Sequence, residues 1–134
     1  MSQENVEVVQ QIYEAQQRGD QGGVTQLVSP DVELHRTSGG LSEGSVARGI
    51  QAVRETFETW DTEAWDETRL SPQRFIDAGD QVVVLQQEHR RGRSSGVEVE
   101  SKTAVLFELR DGLVIRMQGF MDQADALRAA GLAE

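Results

Sequence analysis

The change in hydrophobic periodicity along the chain constrains its fold more than any other feature. Up to about residue 64 the apolar residues recur with the period of a helix. From about residue 67 they alternate, which is the period of a strand. Val6, Val9 and Tyr13 fall at i, i+3 and i+7, and Val8, Ile12 and Ala15 widen the stripe. Ser2 is placed to cap this helix, Glu4 to sit in its first turn and Gly19 to end it, which predicts a helix from about Gln3 to Arg18. Asp20 is placed to cap a short second helix carrying Val24, Leu27 and Val28. Ser29-Pro30-Asp31 stops it, because the residue before proline disfavours helix. Val32-Glu33-Leu34-His35-Arg36 alternates and predicts a strand, and the glycine- and serine-rich residues 37–47 predict a loop. Ile50, Val53, Phe57 and Trp60 then predict a third helix from about Gly49.

The second half predicts strands near 67–77, 81–91, 96–109 and 113–121. They are separated by Ala78-Gly79-Asp80, by a loop around Gly92 to Gly96 and by Arg110-Asp111-Gly112. Asp-Gly between alternating apolar runs is a strong hairpin signal. Asp122 is placed to cap a last helix, 123–130, ending at Gly131. Helices early and strands late predict an α+β fold with an antiparallel sheet.

A length of 134 residues predicts one domain, 1–134. The absence of cysteine excludes disulfides, a thiolate nucleophile and Cys-ligated metal. The excess of 23 Asp plus Glu over 13 Lys plus Arg, a formal charge of −10, opposes nucleic-acid binding, which depends on cationic contacts to phosphate. The cluster His89-Arg90-Arg91-Gly92-Arg93 is short and lacks interleaved aromatics. No segment approaches the ~20 apolar residues of a membrane span, and the N-terminus lacks a basic n-region and an apolar h-region. These features predict a cytoplasmic protein with neither a membrane nor a nucleic acid as partner. His35 and His89 are the only histidines, and no His/Asp/Glu set has metal-ligand spacing.

The segments Arg18-Gly19-Asp20, Ser29-Pro30-Asp31-Val32-Glu33, Ala47-Arg48-Gly49-Ile50-Gln51-Ala52-Val53, Ile76-Asp77-Ala78-Gly79-Asp80 and Phe107-Glu108-Leu109-Arg110-Asp111-Gly112-Leu113-Val114 carry a resemblance. In this order they resemble the SnoaL-like branch of the nuclear transport factor 2-like superfamily, which includes ketosteroid isomerase and polyketide cyclases. The resemblance covers almost the whole chain, and its motifs are mostly structural. It implies a cone: a curved antiparallel sheet wrapped on N-terminal helices, an α+β barrel with an apolar pocket between the layers. It also implies a small apolar ligand, no cofactor and homodimerisation through the outer face of the sheet. One parity of the strand 97–109 carries Val97, Val99, Thr103, Val105, Phe107 and Leu109, and the other offers Ala104 and Leu106, a patch suited to a partner sheet.

A cone pocket needs polar groups on its apolar wall to do more than bind. Tyr13, the only tyrosine, matches a tyrosine that in ketosteroid isomerase donates to an oxyanion; it reads equally as a core aromatic with a satisfied hydroxyl. The isomerase base falls on Arg36 or His35 and the second isomerase acid near Val105, so ketosteroid isomerisation is not expected. Arg36 shares parity with Val32 and Leu34 and would anchor a carboxylate or enolate if inward. His35 would be a general base if it faced in, and otherwise a surface histidine. Asp122 matches an acidic residue that acts in SnoaL-type cyclases, or is only a helix cap. His89 stands near the cone mouth, or at a hairpin tip paired with Glu98 or Glu100. Phe57, Trp60, Thr103, Val105, Phe107, Met117, Gly119 and Met121 are the expected lining. Two functions follow: a cofactor-independent isomerase, cyclase or hydratase working by acid–base chemistry, or a non-catalytic ligand-binding or dimeric accessory module.

Overall fold

The computed structural model describes residues 2–39, 44–63 and 65–132, apart from the side chains at 2, 38, 57–63 and 65–67. The elements run α1 (Ser2–Gln17), α2 (Gln21–Thr25), β1 (Val28–Ser38), β2 (Val46–Arg48), α3 (Ile50–Glu63), β3 (Trp65–Ala78), β4 (Gln81–Gly92), β5 (Glu98–Arg110), β6 (Leu113–Phe120) and α4 (Gln123–Ala129). The strands form one sheet in the order β2-β1-β6-β5-β4-β3, with β2 and β3 at its edges, so the sheet curves round the helices without closing.

The α+β architecture is the expected one, with three differences of detail. The second helix stops at Thr25, and Val28 already belongs to β1. Val28 is in register with Val114, and the Val114 amide donates to the Leu27 carbonyl at 3.0 Å, so the segment before Pro30 satisfies its backbone in the sheet rather than in a helix. Part of the expected loop is strand: β2 pairs antiparallel with β1 through Glu33–Arg48, Leu34–Ala47 and His35–Val46. Residues 40–43 lie outside the described part. Third, β1 runs parallel to β6, while the other pairings are antiparallel. Nothing short joins β1 to β6; the intervening chain is a long crossover, as parallel pairing requires.

The long hairpins are built as expected. Asp111 at φ 54° and Gly112 at φ 79° place two successive residues in the left-handed region, the backbone of a type I′ turn between β5 and β6. A shift of register between Pro72 and Arg74 breaks the ladder of β3, where an edge strand tolerates proline.

Each face of the sheet carries its own core. On the inner face, toward α1, the fully buried Val9, Val32, Val82, Val84 and Val114 pack with Ile12, Tyr13, Phe107 and Leu109. The Tyr13 ring meets Phe75 and Phe107 edge-on, at centroid distances of 5.7 and 6.1 Å. On the outer face, Val83, Ala104, Leu106 and Phe120 pack under Ala126 of α4, with Leu127 and Ala130 alongside. This corrects the expectation for Ala104 and Leu106. They are 0% and 6% exposed because α4 of the same chain covers them, so they offer no patch to a partner sheet. Among the described residues no helix is long and apolar enough to cross a membrane.

Ala104→Arg therefore forces a charge into a sealed intrachain layer. We expect loss of the cooperative fold, seen as loss of the sheet signal in circular dichroism. A well-folded variant altered only in its oligomeric state would contradict this assignment.

Candidate functional site

The site follows from one alternation along β4. Val82 and Val84 face the inner core, so Gln86, Glu88 and Arg90 continue on the same face. Register with the neighbouring strands gives three rows across β3, β4 and β5: Pro72–Gln86–Thr103, Leu70–Glu88–Ser101 and Thr68–Arg90–Val99. The inner wall thus turns from valine to polar groups within one strand.

In the first row, Tyr13 reaches across from α1 and donates its hydroxyl to Gln86 Oε1 at 2.7 Å, while Gln86 Nε2 donates to Thr103 Oγ1 at 3.2 Å. Tyr13, Gln86 and Thr103 are all buried, at 4%, 2% and 4% exposure. Burial, and then the negative charge of Glu88, push the Tyr13 phenol far above its ordinary range. The hydroxyl stays a donor at any physiological pH.

In the next rows, Arg90 Nη2 donates to Glu88 Oε1 at 3.1 Å, and the two side chains are only 9% and 16% exposed. Removing two charges from water this far is costly, and their mutual attraction offsets that cost only in good geometry. Beside Arg90, the Thr68 hydroxyl oxygen is buried with no hydrogen-bond partner among the described residues. A buried hydroxyl without a partner is unusual in a folded protein.

The expected site residues are distributed unevenly over this wall. Tyr13 and Thr103 belong to it. Val105, Phe107 and Met117 pack in the inner core beyond it. Gly119 is also on that face, in register with Val105, but the room it leaves is taken: a Cβ there would stand 2.8 Å from Thr37 Oγ1. Met121 lies past the end of β6 at 49% exposure, so it does not continue the wall. The side chains of Phe57 and Trp60 lie outside the described residues. Arg36 follows Val32 and Leu34, is half-buried and has its amide bound to the Ser45 carbonyl at 2.9 Å. It sits on β1, three strands away from β4.

Three candidates face elsewhere. His89 is on the outer face, where its Nδ1 stands 3.3 Å from Glu100 Oε1 and its Nε2 3.0 Å from Glu98 Oε1. Of the two places expected for it, this is the pairing with Glu98 and Glu100 across the β4–β5 ladder and not a place on the inner wall. His35 is in register with Gln118 on the outer face, its Nε2 3.0 Å from Glu33 Oε1. That contact, and then Arg48 at 3.4 Å, hold the Glu33 carboxyl below the usual carboxylate range. The Asp122 carboxylate accepts from the Ala124 amide at 2.8 Å and caps α4. None of the three is brought together with Tyr13. Among the described residues no group of three or more His, Asp and Glu side chains stands where it would hold a metal ion.

Gln86, Glu88 and Thr68 were not singled out from the sequence, and Arg90 was named only as part of a short basic cluster, whereas it is buried. The signal was present in the even-numbered residues 82–90. It is obscured by Val83 and Leu85, which are apolar for a different reason: α4 covers the opposite face.

Two outcomes test this geometry. Tyr13→Phe leaves a buried acceptor on Gln86 without its donor and is expected to cost about 1–3 kcal/mol in urea denaturation. The raised phenol also sets a pH dependence. Below about pH 10 the phenol is neutral in both states; above it the unfolded chain ionises and the folded one does not. Stability should then fall with rising pH by about 1.4 kcal/mol per unit, a slope that Tyr13→Phe abolishes.

Comparison with known proteins places this geometry in a family. Residues 9–117 match the model of the SnoaL-like domain. An NTF2-like protein of unknown function from Burkholderia pseudomallei is 26% identical, with a TM-score of 0.78 over 93% of this chain and 95% of its own. TerC, crystallised with polyporic acid, is 25% identical, with a TM-score of 0.76 over 96% and 98%. A putative SnoaL-like polyketide cyclase from Jannaschia sp., 23% identical over 99% and 94% with a TM-score of 0.76, shares the fold. The search of curated proteins finds no match. With about four-fifths of its length matched by one family model, the chain belongs to the SnoaL-like domain family.

Proposed function

We propose that this chain is a small-molecule-binding SnoaL-like domain whose ligand is mostly apolar and carries an oxygen that lies on the inner wall at Glu88, Arg90 and Thr68. One observation carries the reading. The polar end of β4 is placed inside the cone, where a purely structural wall would continue the valines of Val82 and Val84. The Thr68 hydroxyl, buried and without a hydrogen bond among the described residues, marks a group that a ligand oxygen would satisfy. A relative crystallised with polyporic acid supports a small-molecule role for this kind of domain.

A second reading is favoured by the juxtaposition of Tyr13 and Glu88. A phenol kept protonated by burial lies within the field of a carboxylate, which is a donor and a base on one wall. In this reading Glu88 removes a proton next to a ligand carbonyl while the Tyr13 hydroxyl exchanges its bond to Gln86 for one to the developing oxyanion. It differs from the expected assignment in replacing His35, Arg36 and Asp122 by Glu88.

Thermal shift and calorimetry with 2-naphthol as the probe test the first reading. We expect 2-naphthol to raise the melting temperature, as a ligand of the native state must. Thr68→Val should weaken its binding roughly fivefold, the worth of one hydrogen bond, and leave the melting temperature of the unliganded protein unchanged or higher. No shift with 2-naphthol, or a Thr68→Val variant that melts lower and binds equally well, contradicts the reading. Deuterium exchange at the carbon next to the carbonyl of 2-tetralone, faster than in buffer and lost in Glu88→Gln, would carry the second reading.

A further inference from the structure

We propose that Thr103 carries the donor with which the deep end of the inner wall meets a carbonyl oxygen of the ligand, and that Tyr13 and Gln86 are positioning residues that aim it. This rests on the reading of that wall as a ligand site and adds a second contact to it. The first contact lies in the rows of Glu88 and Arg90; the row of Gln86 and Thr103 is the next one inward.

The hydrogen-bond chain across this row has a direction. Tyr13 gives its proton to Gln86 Oε1 at 2.7 Å, and Gln86 Nε2 gives one to Thr103 Oγ1 at 3.2 Å. An amide nitrogen only donates, so Thr103 takes part as the acceptor and its own proton is left over. No described residue accepts that proton. The sheet does not supply an acceptor either. Gln86, in register on β4, faces Thr103 with its nitrogen, and the β5–β6 pairing ends at Ala104–Phe120, so no residue of β6 is in register with Thr103. Thr103 is 4% exposed. A hydroxyl proton without an acceptor at that depth is unusual, and buried donors go unpaired less often than buried acceptors. A carbonyl oxygen is the group it lacks, since it accepts and brings no proton of its own.

The sense of the Gln86 amide decides which end of the chain offers the proton. With the amide reversed, Thr103 would donate to Oε1, Nε2 would donate to the phenol oxygen, and Tyr13 would hold the spare proton. Two features favour the sense found in the structure. The phenol is the more acidic of the two hydroxyls and so the better donor to the amide oxygen. Its ring meets Phe75 and Phe107 edge-on, neighbours that offer its proton no acceptor. Tyr13 therefore acts through Gln86: it holds the amide oxygen on its own side and turns the nitrogen toward Thr103. Without the phenol the amide is free to turn over, and Thr103 then spends its proton on Oε1. Successive residues on one face of a strand are about 7 Å apart. The fitting ligand is thus a ring skeleton with a carbonyl at its inner end and a second oxygen about 7 Å outward, at the row of Glu88.

Two probes that differ only in the carbonyl test this, 6-hydroxy-2-tetralone and 5,6,7,8-tetrahydro-2-naphthol. We expect both to bind the wild type in calorimetry. Thr103→Val should lower the affinity for the ketone, relative to the tetrahydronaphthol, roughly fivefold, while Thr103→Ser, which keeps the hydroxyl, leaves the ratio as it is. Infrared spectra of the ketone labelled at its carbonyl carbon report the bond itself. The stretch of the bound ketone should lie below its value in cyclohexane with the wild type and Thr103→Ser, and return to that value with Thr103→Val and with Tyr13→Phe. A wild-type stretch equal to that in cyclohexane overturns the donor and leaves the ligand site standing, as does a wild type that binds the tetrahydronaphthol and not the ketone. A wild type that binds neither probe removes the ligand site and the donor with it. A lowered stretch that survives Thr103→Val gives the donor to another group and overturns the role of Thr103. One that is lost in Thr103→Val and survives Tyr13→Phe keeps Thr103 as the donor and overturns the positioning role of Tyr13 and Gln86. Circular dichroism checks that the variants fold; if Thr103→Val does not, the wild-type and Thr103→Ser stretches decide whether the wall donates to a carbonyl.

Discussion

Val82, Val83 and Val84 are consecutive on β4 and all fully buried, and the rest of the structure depends on the arrangement that makes this possible. Successive side chains of a strand point to opposite faces, so three buried neighbours require cover on both. Helix α1 and the inner core supply one layer; α4, folding back after the last strand, supplies the other. At roughly 25 cal/mol per Å2 of apolar surface, filling two layers lets a chain with only 37% hydrophobic residues stabilise a curved, open sheet. Ala104 shows how closely the second layer packs. It is fully buried beneath Ala126, two small side chains that let helix and sheet approach each other.

The same strand then decides where chemistry can occur. Past Leu85 the two faces of β4 part company. The outer face continues with Gln87 and His89, which bond to the exposed carboxylate of Glu100 on β5. The inner face continues with Gln86 and Arg90, which are buried, and Glu88 between them, whose side chain is 16% exposed. A strand that is apolar on both sides at one end and polar on both sides at the other thus turns its outer polar residues toward the carboxylates of β5 and its inner ones toward α1. The contacts differ in their acidic partner: Glu98, beside His89, is 61% exposed, whereas Glu88, beside Arg90, is 16% exposed.

This is also why the sequence was legible for the fold and less so for the site. Helical spacing in Val6, Val9 and Tyr13, the Asp111-Gly112 turn and the Asp122 cap are local signals, and the structure contains each where the pattern puts it. Three-residue β2 and the parallel pairing of β1 with β6 depend on partners distant in sequence, and no local pattern carries them. The site fails to show for a related reason. Reading parity needs one polar face as a reference, and Val82-Val83-Val84-Leu85 offers none. The expected outward patch at Ala104 and Leu106 comes from assigning to a single covered face what belongs to two. Tyr13 was legible because its helix has one buried stripe, and a lone tyrosine on that stripe needs a partner for its hydroxyl. That partner, Gln86, was the step the alternation concealed.

The two layers are not independent, and Gln123 is where they meet. It is the first residue of α4, and its side-chain amide donates to the backbone carbonyls of Thr103 at 3.0 Å and Gln86 at 3.4 Å. Those are the two residues whose side chains, on the inner face, continue the chain from the Tyr13 hydroxyl: Gln86 accepts from Tyr13 and donates to Thr103. The helix that seals the outer core therefore also fixes the backbone from which the inner polar row projects. A buried hydrogen-bond chain keeps its geometry only if the strands carrying it cannot slide or twist, since each of its members is costly when unpaired. Asp122, which caps α4 and so positions Gln123, takes part in the site through this path: it orders the helix that braces the two strands, and it does so from the far side of the sheet.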